Sequence, residues 1–314
     1  MNYLITGGAG FIGSHLADLL LSQGHGVRVL DDFSTGTLQN LDSRCDVIRA
    51  DCRDLLALRR GMAGTAGCFH LAAIASVARG NEDWTGTHGV NQGATVAVLD
   101  TARALGGLPV VYASSAAVYG SLEGTAREDA FPVPRTAYGA DKLGSELHAR
   151  VGAQVHGVPS VGFRFFNVYG PRQDPASPYS GVISIFADAI GSGRPITMHG
   201  EGLQTRDFVF VSDVAAHLAA GMRHCSAAPT AAHVLNVCTG HETSVMDLAL
   251  IIGEVSGRAP VIRRGAPRLG DITRSVGSPE RARAMLGLQA TISLRAGLRD
   301  TVETLAAHRI AVGA

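Results

Sequence analysis

The first thirteen residues constrain this chain most. Met1-Asn2-Tyr3-Leu4-Ile5-Thr6 runs directly into Gly7-Gly8-Ala9-Gly10-Phe11-Ile12-Gly13. The pattern predicts a short apolar strand over Tyr3–Thr6, a loop over Gly7–Gly13 and a helix over Ser14–Ser22, with Leu16, Leu19 and Leu20 at helical spacing. Glycines at 7, 10 and 13 allow a sharp turn, close backbone approach to a pyrophosphate and tight packing of helix on strand. The helix start then offers free N–H groups and the positive end of its dipole to an anion. An ordinary glycine turn is the plain alternative, and the strand–loop–helix context argues against it. A second strand over Val27–Leu30, closed by Asp31-Asp32, completes one βαβ unit.

The alternation continues. Strands are expected over Val47–Ala50, Cys68–Leu71, Val110–Ala113 and Ser160–Arg164. Helices are expected over Leu55–Met62, Val90–Leu105 and Tyr138–Val151. Repeated βα units with β-branched, apolar strands imply an α/β fold, a doubly wound parallel sheet with helices on both faces. Beyond Asn167 the pattern loosens. Pro171, Pro175 and Pro178 make Gly170–Tyr179 a loop; shorter pieces follow at Ile183–Ile190, Ile196–His199, Phe208–Phe210, Val214–Met222 and Val234–Asn236, and two or three short helices are expected after Val245. The expected layout is a nucleotide-binding domain over residues 1–166 with return segments near 205–237. A smaller, irregular substrate domain takes residues 167–204 and 238–314. Ligand would lie between them at the carboxyl ends of the strands.

Composition narrows the function classes. Lys plus Arg and Asp plus Glu both number 27, so the formal net charge is zero and nothing favours a nucleic-acid backbone as partner. Hydrophobic residues make up 46%, enough for a sizeable core, yet no apolar run approaches the roughly 18 residues that span a membrane. Five cysteines, an odd number with no CxxC pair, make a disulfide framework or a metal site improbable. With no basic leader or cleavage signal before the glycine loop, a cytoplasmic protein is expected.

Asp31 lies at the end of the second strand, where a carboxylate accepts hydrogen bonds from ribose hydroxyls and repels a 2′-phosphate; NAD is therefore expected over NADP. Asp51-Cys52 follows the third strand and is placed to meet the adenine, or else to cap the next helix. Leu71-Ala72-Ala73 ends the fourth strand with small residues, which suit either a cofactor lying against backbone or simple packing. Tyr138-Gly139-Ala140-Asp141-Lys142 puts a phenol and an ammonium four residues apart on one helical face. The ammonium stabilises phenolate, so Tyr138 is a candidate general base. Ser114-Ser115 ends the strand before it. Each element alone has a plain reading, a solvated pair or a turn cap.

In order along one chain, the glycine loop, Asp31, Ser115-Ala116-Ala117-Val118-Tyr119-Gly120 and Tyr138-xxx-Lys142 resemble the extended short-chain dehydrogenase/reductase superfamily, with its Rossmann-like sheet. Within it the chain is similar to the UDP-galactose/UDP-N-acetylglucosamine 4-epimerase family. Asn91, Arg164-Phe165-Phe166-Asn167, Thr205-Arg206-Asp207-Phe208 and Arg268-Leu269-Gly270-Asp271 fall where that family has matching motifs, and the resemblance runs from residue 2 to about 300. The resemblance implies NAD-dependent C4 epimerisation of a UDP-sugar through a 4-keto intermediate. Tyr138 would be the base, Lys142 would hold the ribose and tune Tyr138, and Ser115 would bond the sugar oxygen, a task Ser114 could share. The NAD site would further comprise Gly7, Gly10, Phe11, Ile12, Gly13, Asp31, Asp32, Ser34, Thr35, Gly36, Asp51, Cys52, Leu71, Ala72, Ala73, Ala75, Asn91 and Phe165. The UDP-sugar would meet Ser76, Asn167, Val182, Thr197, His199, Arg206, Arg268, Asp271 and Ser275. The family pairs two helices per subunit, here Val90–Leu105 and Tyr138–Val151, so a homodimer is implied.

The chain departs from the family at two points. Ala75 stands where many hexose epimerases carry a longer polar side chain, and Phe165 replaces a frequent Tyr. Both alter the pocket without removing chemistry. Rival enzymes on the same scaffold, 4,6-dehydratases and decarboxylases, carry acid and base groups just after the catalytic Ser/Thr. Ala116 and Ala117 cannot move protons there. A non-catalytic NAD-binding scaffold would be expected to lose Tyr138 or Lys142. Ser275, four residues after Asp271, stands where the family faces the sugar ring. A small residue there leaves room for a C2 N-acetyl group, so UDP-GlcNAc and UDP-GalNAc are expected ahead of UDP-glucose and UDP-galactose.

Overall fold

The computed structural model of the chain describes residues 1–175, 181–227, 231–267 and 272–313. From the N-terminus, β1 (Asn2–Thr6), α1 (Phe11–Ser22), β2 (Gly26–Asp31), β3 (Asp46–Arg49), α2 (Leu55–Met62) and β4 (Cys68–His70) form the first half of the sheet. Two short helices come next, α3 (Val77–Glu82) and α4 (Trp84–His88), then a π-helical turn at Gly89–Gly93 that continues into α5 (Ala94–Ala104). The second half brings β5 (Val110–Ser115), α6 (Ala137–His156) and β6 (Ser160–Phe165). The remainder comprises β7 (Asn167–Tyr169), α7 (Val182–Gly191), β8 (Ile196–His199), β9 (Thr205–Arg206), β10 (Phe208–Phe210), α8 (Val211–Ala227), β11 (Ala232–Val237) and β12 (Thr243–Ser244), then α9 (Val245–Ser256), β13 (Ile262–Gly265), β14 (Arg274–Ser275), α10 (Glu280–Leu286) and α11 (Leu294–Gly313).

Seven strands make one sheet in the order β11-β6-β5-β4-β1-β2-β3, every pair parallel. Successive residues of a strand point to opposite faces. Ile5 joins one core with Leu16, Val29, Phe69, Phe163 and Leu218 under α1 and α8, whereas Leu4 joins another with Leu30, Leu58, Met62, Val98 and Ala149 under α2, α5 and α6. Both faces are covered, which is why the strands read as continuous apolar runs. The chain order reverses beside β1, between β2 and β4, and that switch point opens a crevice above the carboxyl ends of the strands. A third core of Ile183, Phe186, Met198, Phe210, Leu248 and Leu298 holds the C-terminal helices on the small pairs β7–β10 and β8–β13. Among the described residues no helix is long and apolar enough to cross a membrane.

The helix expected over Val90–Leu105 is a π-helical turn continued by α5, and α3 and α4 precede it. Glycines 80, 86, 89 and 93 dilute the helical periodicity of this stretch. The caps are nonetheless present in the sequence. Ser76 Oγ accepts from Arg79 N at 3.1 Å, and Asp83 Oδ1 from Gly86 N at 2.9 Å. α1 begins at Phe11, inside the expected loop. Of the proline-rich loop, residues 176–180 lie outside the described residues.

Candidate active site

The glycine loop forms a cradle that side chains would fill. Gly7 adopts φ +71°, and a Cβ on it would sit 2.7 Å from Ala72 N; one on Gly13 would sit 2.2 Å from Gly7 O. Gly10 precedes α1 and offers no capping side chain, so the opening N–H groups at Phe11 and Ile12 have no side-chain acceptor from that position. The loop after β2 is stitched to this cradle. Thr37 N donates to Ala9 O at 3.2 Å, Asn40 Nδ2 to the same oxygen at 2.9 Å, and buried Gly36 leaves no room for a side chain against Ala9. Such a backbone-lined hollow at a helix N-terminus fits a pyrophosphate.

Asp31, 7% exposed, closes one end of the hollow. Its carboxylate accepts from Ala9 N and Phe33 N, each at 2.9 Å. Burial pushes its pKa up, and these two bonds pull it down. A carboxylate has about four acceptor positions, so two remain for the ribose hydroxyls. Exposed Asp32 accepts from Ser34 N and Oγ, and Thr35 comes next, also exposed. Half-buried Asp51 is held by Arg53 at 2.5 Å, which lowers its pKa, and Cys52 is buried beside it. We expect Asp31→Ala to raise NADP affinity relative to NAD by at least about tenfold, measured by titrating each nucleotide against the purified protein. An unchanged ratio would show that Asp31 does not choose the cofactor.

Leu71, Ala72 and Ala73 continue β4 along the cradle, and Asn91 anchors the segment beyond them. Fully buried, Asn91 accepts from Ile74 N at 2.8 Å and donates to Ile74 O at 3.1 Å. Its amide positions the loop that carries exposed Ala75. Ser76 is buried as the cap of α3, and Phe165 is buried in the core under α1 and α8, stacked on Phe163.

The structure brings Ser115, Tyr138 and Lys142 together. Thr136 caps α6 by accepting from Gly139 N at 3.1 Å, which sets Tyr138 in the first turn. Ser115, at the carboxyl end of β5, lies near enough to Tyr138 for its hydroxyl to act on the phenol, and its Oγ accepts from Ala117 N at 3.1 Å. Lys142 is 2% exposed; its Nζ donates to Ala113 O at 2.9 Å and lies 5.7 Å from the Tyr138 ring centre. Burial raises the Tyr138 pKa and the neighbouring Ser115 hydroxyl lowers it, while burial brings Lys142 down to about 8. Buried His70, bonded to Thr6 Oγ1 at 2.7 Å, is held neutral by burial and by the Lys142 charge, its pKa lowered to about 3. Ser114 is 2% exposed and donates to Glu146 Oε1 at 2.5 Å.

Arg206, Ser275, Asn167, Thr197 and His199 lie on the smaller sheets. Arg206 and Ser275 are register partners of β9 and β14, and Arg206 donates to Thr205 O at 2.9 Å and Ile272 O at 2.7 Å. Asn167 opens β7, its N–H on Asp207 O at 2.9 Å. Val182 starts α7. Thr197 and His199 line β8, with His199 Nδ1 3.0 Å from Ala266 O. Arg268 and Asp271 lie outside the described residues. The motifs gave Asp207 no role, yet it is fully buried and accepts from Thr239 N at 2.8 Å, Thr239 Oγ1 at 2.7 Å and Gly240 N at 2.9 Å. It ties the Arg206 strand to the end of β11. The signal was its place in Thr205-Arg206-Asp207-Phe208.

Known proteins share this architecture. The model of the NAD dependent epimerase/dehydratase family matches residues 3–238. A UDP-glucose 4-epimerase of Mycolicibacterium smegmatis is 38% identical, over 96% of this chain and 98% of that protein. The structure of a UDP-N-acetylglucosamine 4-epimerase from Methanobrevibacter ruminantium, in complex with UDP-N-acetylmuramic acid, superposes with a TM-score of 0.92 at 29% identity, covering 98% of each chain. A Thermus thermophilus UDP-glucose 4-epimerase complexed with NAD superposes with a TM-score of 0.88 at 34% identity, over 98% of this chain and 99% of that one.

Proposed function

Because the chain belongs to the NAD-dependent epimerase/dehydratase family, we propose that it is a UDP-sugar 4-epimerase acting first on UDP-GlcNAc and UDP-GalNAc, and also on UDP-glucose and UDP-galactose. The observation that carries the reaction type is the Ser115–Tyr138–Lys142 group together with Ala116 and Ala117. Epimerisation needs one proton acceptor and donor at O4, and Tyr138 is that group. Dehydration needs a further acid and base, and the alanines supply neither. The names of the relatives support 4-epimerisation.

NAD, when bound, supplies the hydride acceptor for C4 and returns the hydride. The chain's own residues do the rest. The start of α1 and the glycine cradle hold the pyrophosphate. Asp31 holds the adenosine ribose. Lys142 places its charge beside Tyr138, favouring phenolate, so Tyr138 takes the O4 proton and later gives it back. Ser115 orients O4 and stabilises charge developing on it. Arg206 neutralises a phosphate, Arg268 and Asp271 hold phosphate and uridine ribose, and Ser275 leaves room at the sugar. In this reading residues 1–166 with 205–237 bind the cofactor, and 167–204 with 238–314 bind the nucleotide sugar. Val96 on α5 and Leu147, Val151 and Val155 on α6 are exposed apolar residues, which supports pairing of two subunits through these helices.

The test is incubation of the purified protein with UDP-GlcNAc and with UDP-glucose, then NMR of the products. Conversion to the C4 epimer without added reductant is expected. A product lacking water relative to substrate, or no product from either sugar, would overturn the reading.

A further inference from the structure

Three consecutive residues at the end of β5 face one stripe of α6. Ser115 lies beside Tyr138, the Ala113 carbonyl accepts from Lys142, and Ser114 Oγ donates to Glu146. Tyr138, Lys142 and Glu146 are spaced by four residues and so share a face of the helix. Two of the three contacts belong to the reacting site. The third does not, yet it is the most heavily braced. Glu146 also accepts two bonds from Arg164, at 2.9 Å from Nε and 2.7 Å from Nη2, and both side chains are 5% exposed.

Arg164 is the register partner of Ser114 across β5 and β6. Its guanidinium lies 4.7 Å from the centre of the Tyr119 ring, and Tyr119 ends the short helical turn after Ser115. The Tyr119 hydroxyl donates to Asn236 Oδ1 on β11 at 2.7 Å, and Asn236 Nδ2 donates to Ala126 O at 2.9 Å. The network therefore grips the chain immediately before Ser115, at Ser114, and shortly after it, at Tyr119. A buried ion pair is a poor device for stability, because apolar residues of equal volume fill the space without desolvating two charges. A bidentate guanidinium–carboxylate pair does fix orientation, through its two parallel bonds.

We propose that Ser114, Glu146 and Arg164 are positioning residues for this reaction, holding the Ser115 hydroxyl in line with Tyr138 by clamping the end of β5 to α6. The inference rests on the epimerase reading. Its consequence is specific. A Ser115 hydroxyl held facing Tyr138 favours the ionised phenol, so a slackened clamp makes the phenol harder to ionise. The acid limb of the pH–rate profile then moves to higher pH, while the nucleotide-sugar contacts other than that of Ser115 with O4 are unaffected.

The experiment is Ser114→Ala in the full-length protein. The substitution cuts Glu146 from β5 and leaves both Arg164 bonds in place, so the buried charges stay paired and the fold is kept. Glu146→Gln strands the Arg164 charge and serves as a second variant, with a lower melting temperature and the same change in pH profile. For Ser114→Ala we expect kcat with UDP-GlcNAc or UDP-glucose to fall about tenfold, KM to stay within about twofold and the acid limb to move upward. Wild-type kcat, a rise in KM matching the loss, or a fall in kcat with an unmoved acid limb would each overturn the proposal. Wild-type protein with no epimerase activity would instead overturn the functional reading on which it rests.

Discussion

Tyr138→Phe is expected to lower kcat for epimerisation by roughly a thousandfold, the scale of a lost general acid–base group, with UDP-sugar affinity within about twofold of wild type. The phenol lies beside Ser115, and its ring stands 5.7 Å from the Lys142 ammonium. Phenylalanine keeps the ring and its packing and removes only the proton-carrying oxygen. No neighbour can substitute. His70 faces Thr6 and is held neutral, Ala116 and Ala117 carry no ionisable group, and Asp141 is bonded to His88 at 2.7 Å. The wild-type pH profile is set by the same charges. Burial lowers the Lys142 pKa to about 8, so raising the pH through that value discharges the ammonium and withdraws the charge that favours phenolate. Activity should therefore fall above about pH 8, and Lys142→Met should remove that alkaline limb together with most of the rate. Near wild-type turnover in Tyr138→Phe, measured by NMR of the sugar products, would exclude Tyr138 as the base.

How much the sequence made legible depends on how local each signal is. The cofactor cradle is local. Seven residues specify a strand end, a turn that only glycine tolerates and a helix start, and the structure repeats them with Gly7 at φ +71° and no room at Gly13. The Tyr138–Lys142 spacing is equally local, since a helix puts i and i+4 together whatever surrounds them. Asn91 and Ser114 show where this reasoning stops. Their side-chain partners are Ile74 and Glu146, 17 and 32 residues away. The choice was made by strand register and helix packing, which the linear pattern does not record. Short elements were lost for a different reason: α3 and α4 hold too few turns, and too many glycines, for a period to show.

Ser275→Tyr is expected to lower kcat/KM for UDP-GlcNAc by roughly a hundredfold while sparing UDP-galactose, because a pocket rejects a substrate most cheaply by volume. Ser275 sits on β14 as the direct register partner of Arg206, the proposed phosphate contact on β9. Its own carbonyl accepts from Asp207 N at 2.9 Å, so the backbone is anchored to the braced Arg206–Asp207 segment and cannot easily retreat from a larger side chain. Asp207 itself is locked by Thr239 and Gly240. A tyrosine on such an anchored strand must extend its side chain away from the backbone rather than displace the strand, and in the proposed binding mode the C2 substituent lies in its way. The acetamido group of UDP-GlcNAc then clashes, whereas the much smaller C2 hydroxyl of UDP-galactose does not. Competition between the two sugars in one reaction, monitored by NMR, reads the ratio directly. Equal loss of both sugars, or loss of neither, would place the N-acetyl group elsewhere and remove Ser275 from the specificity pocket.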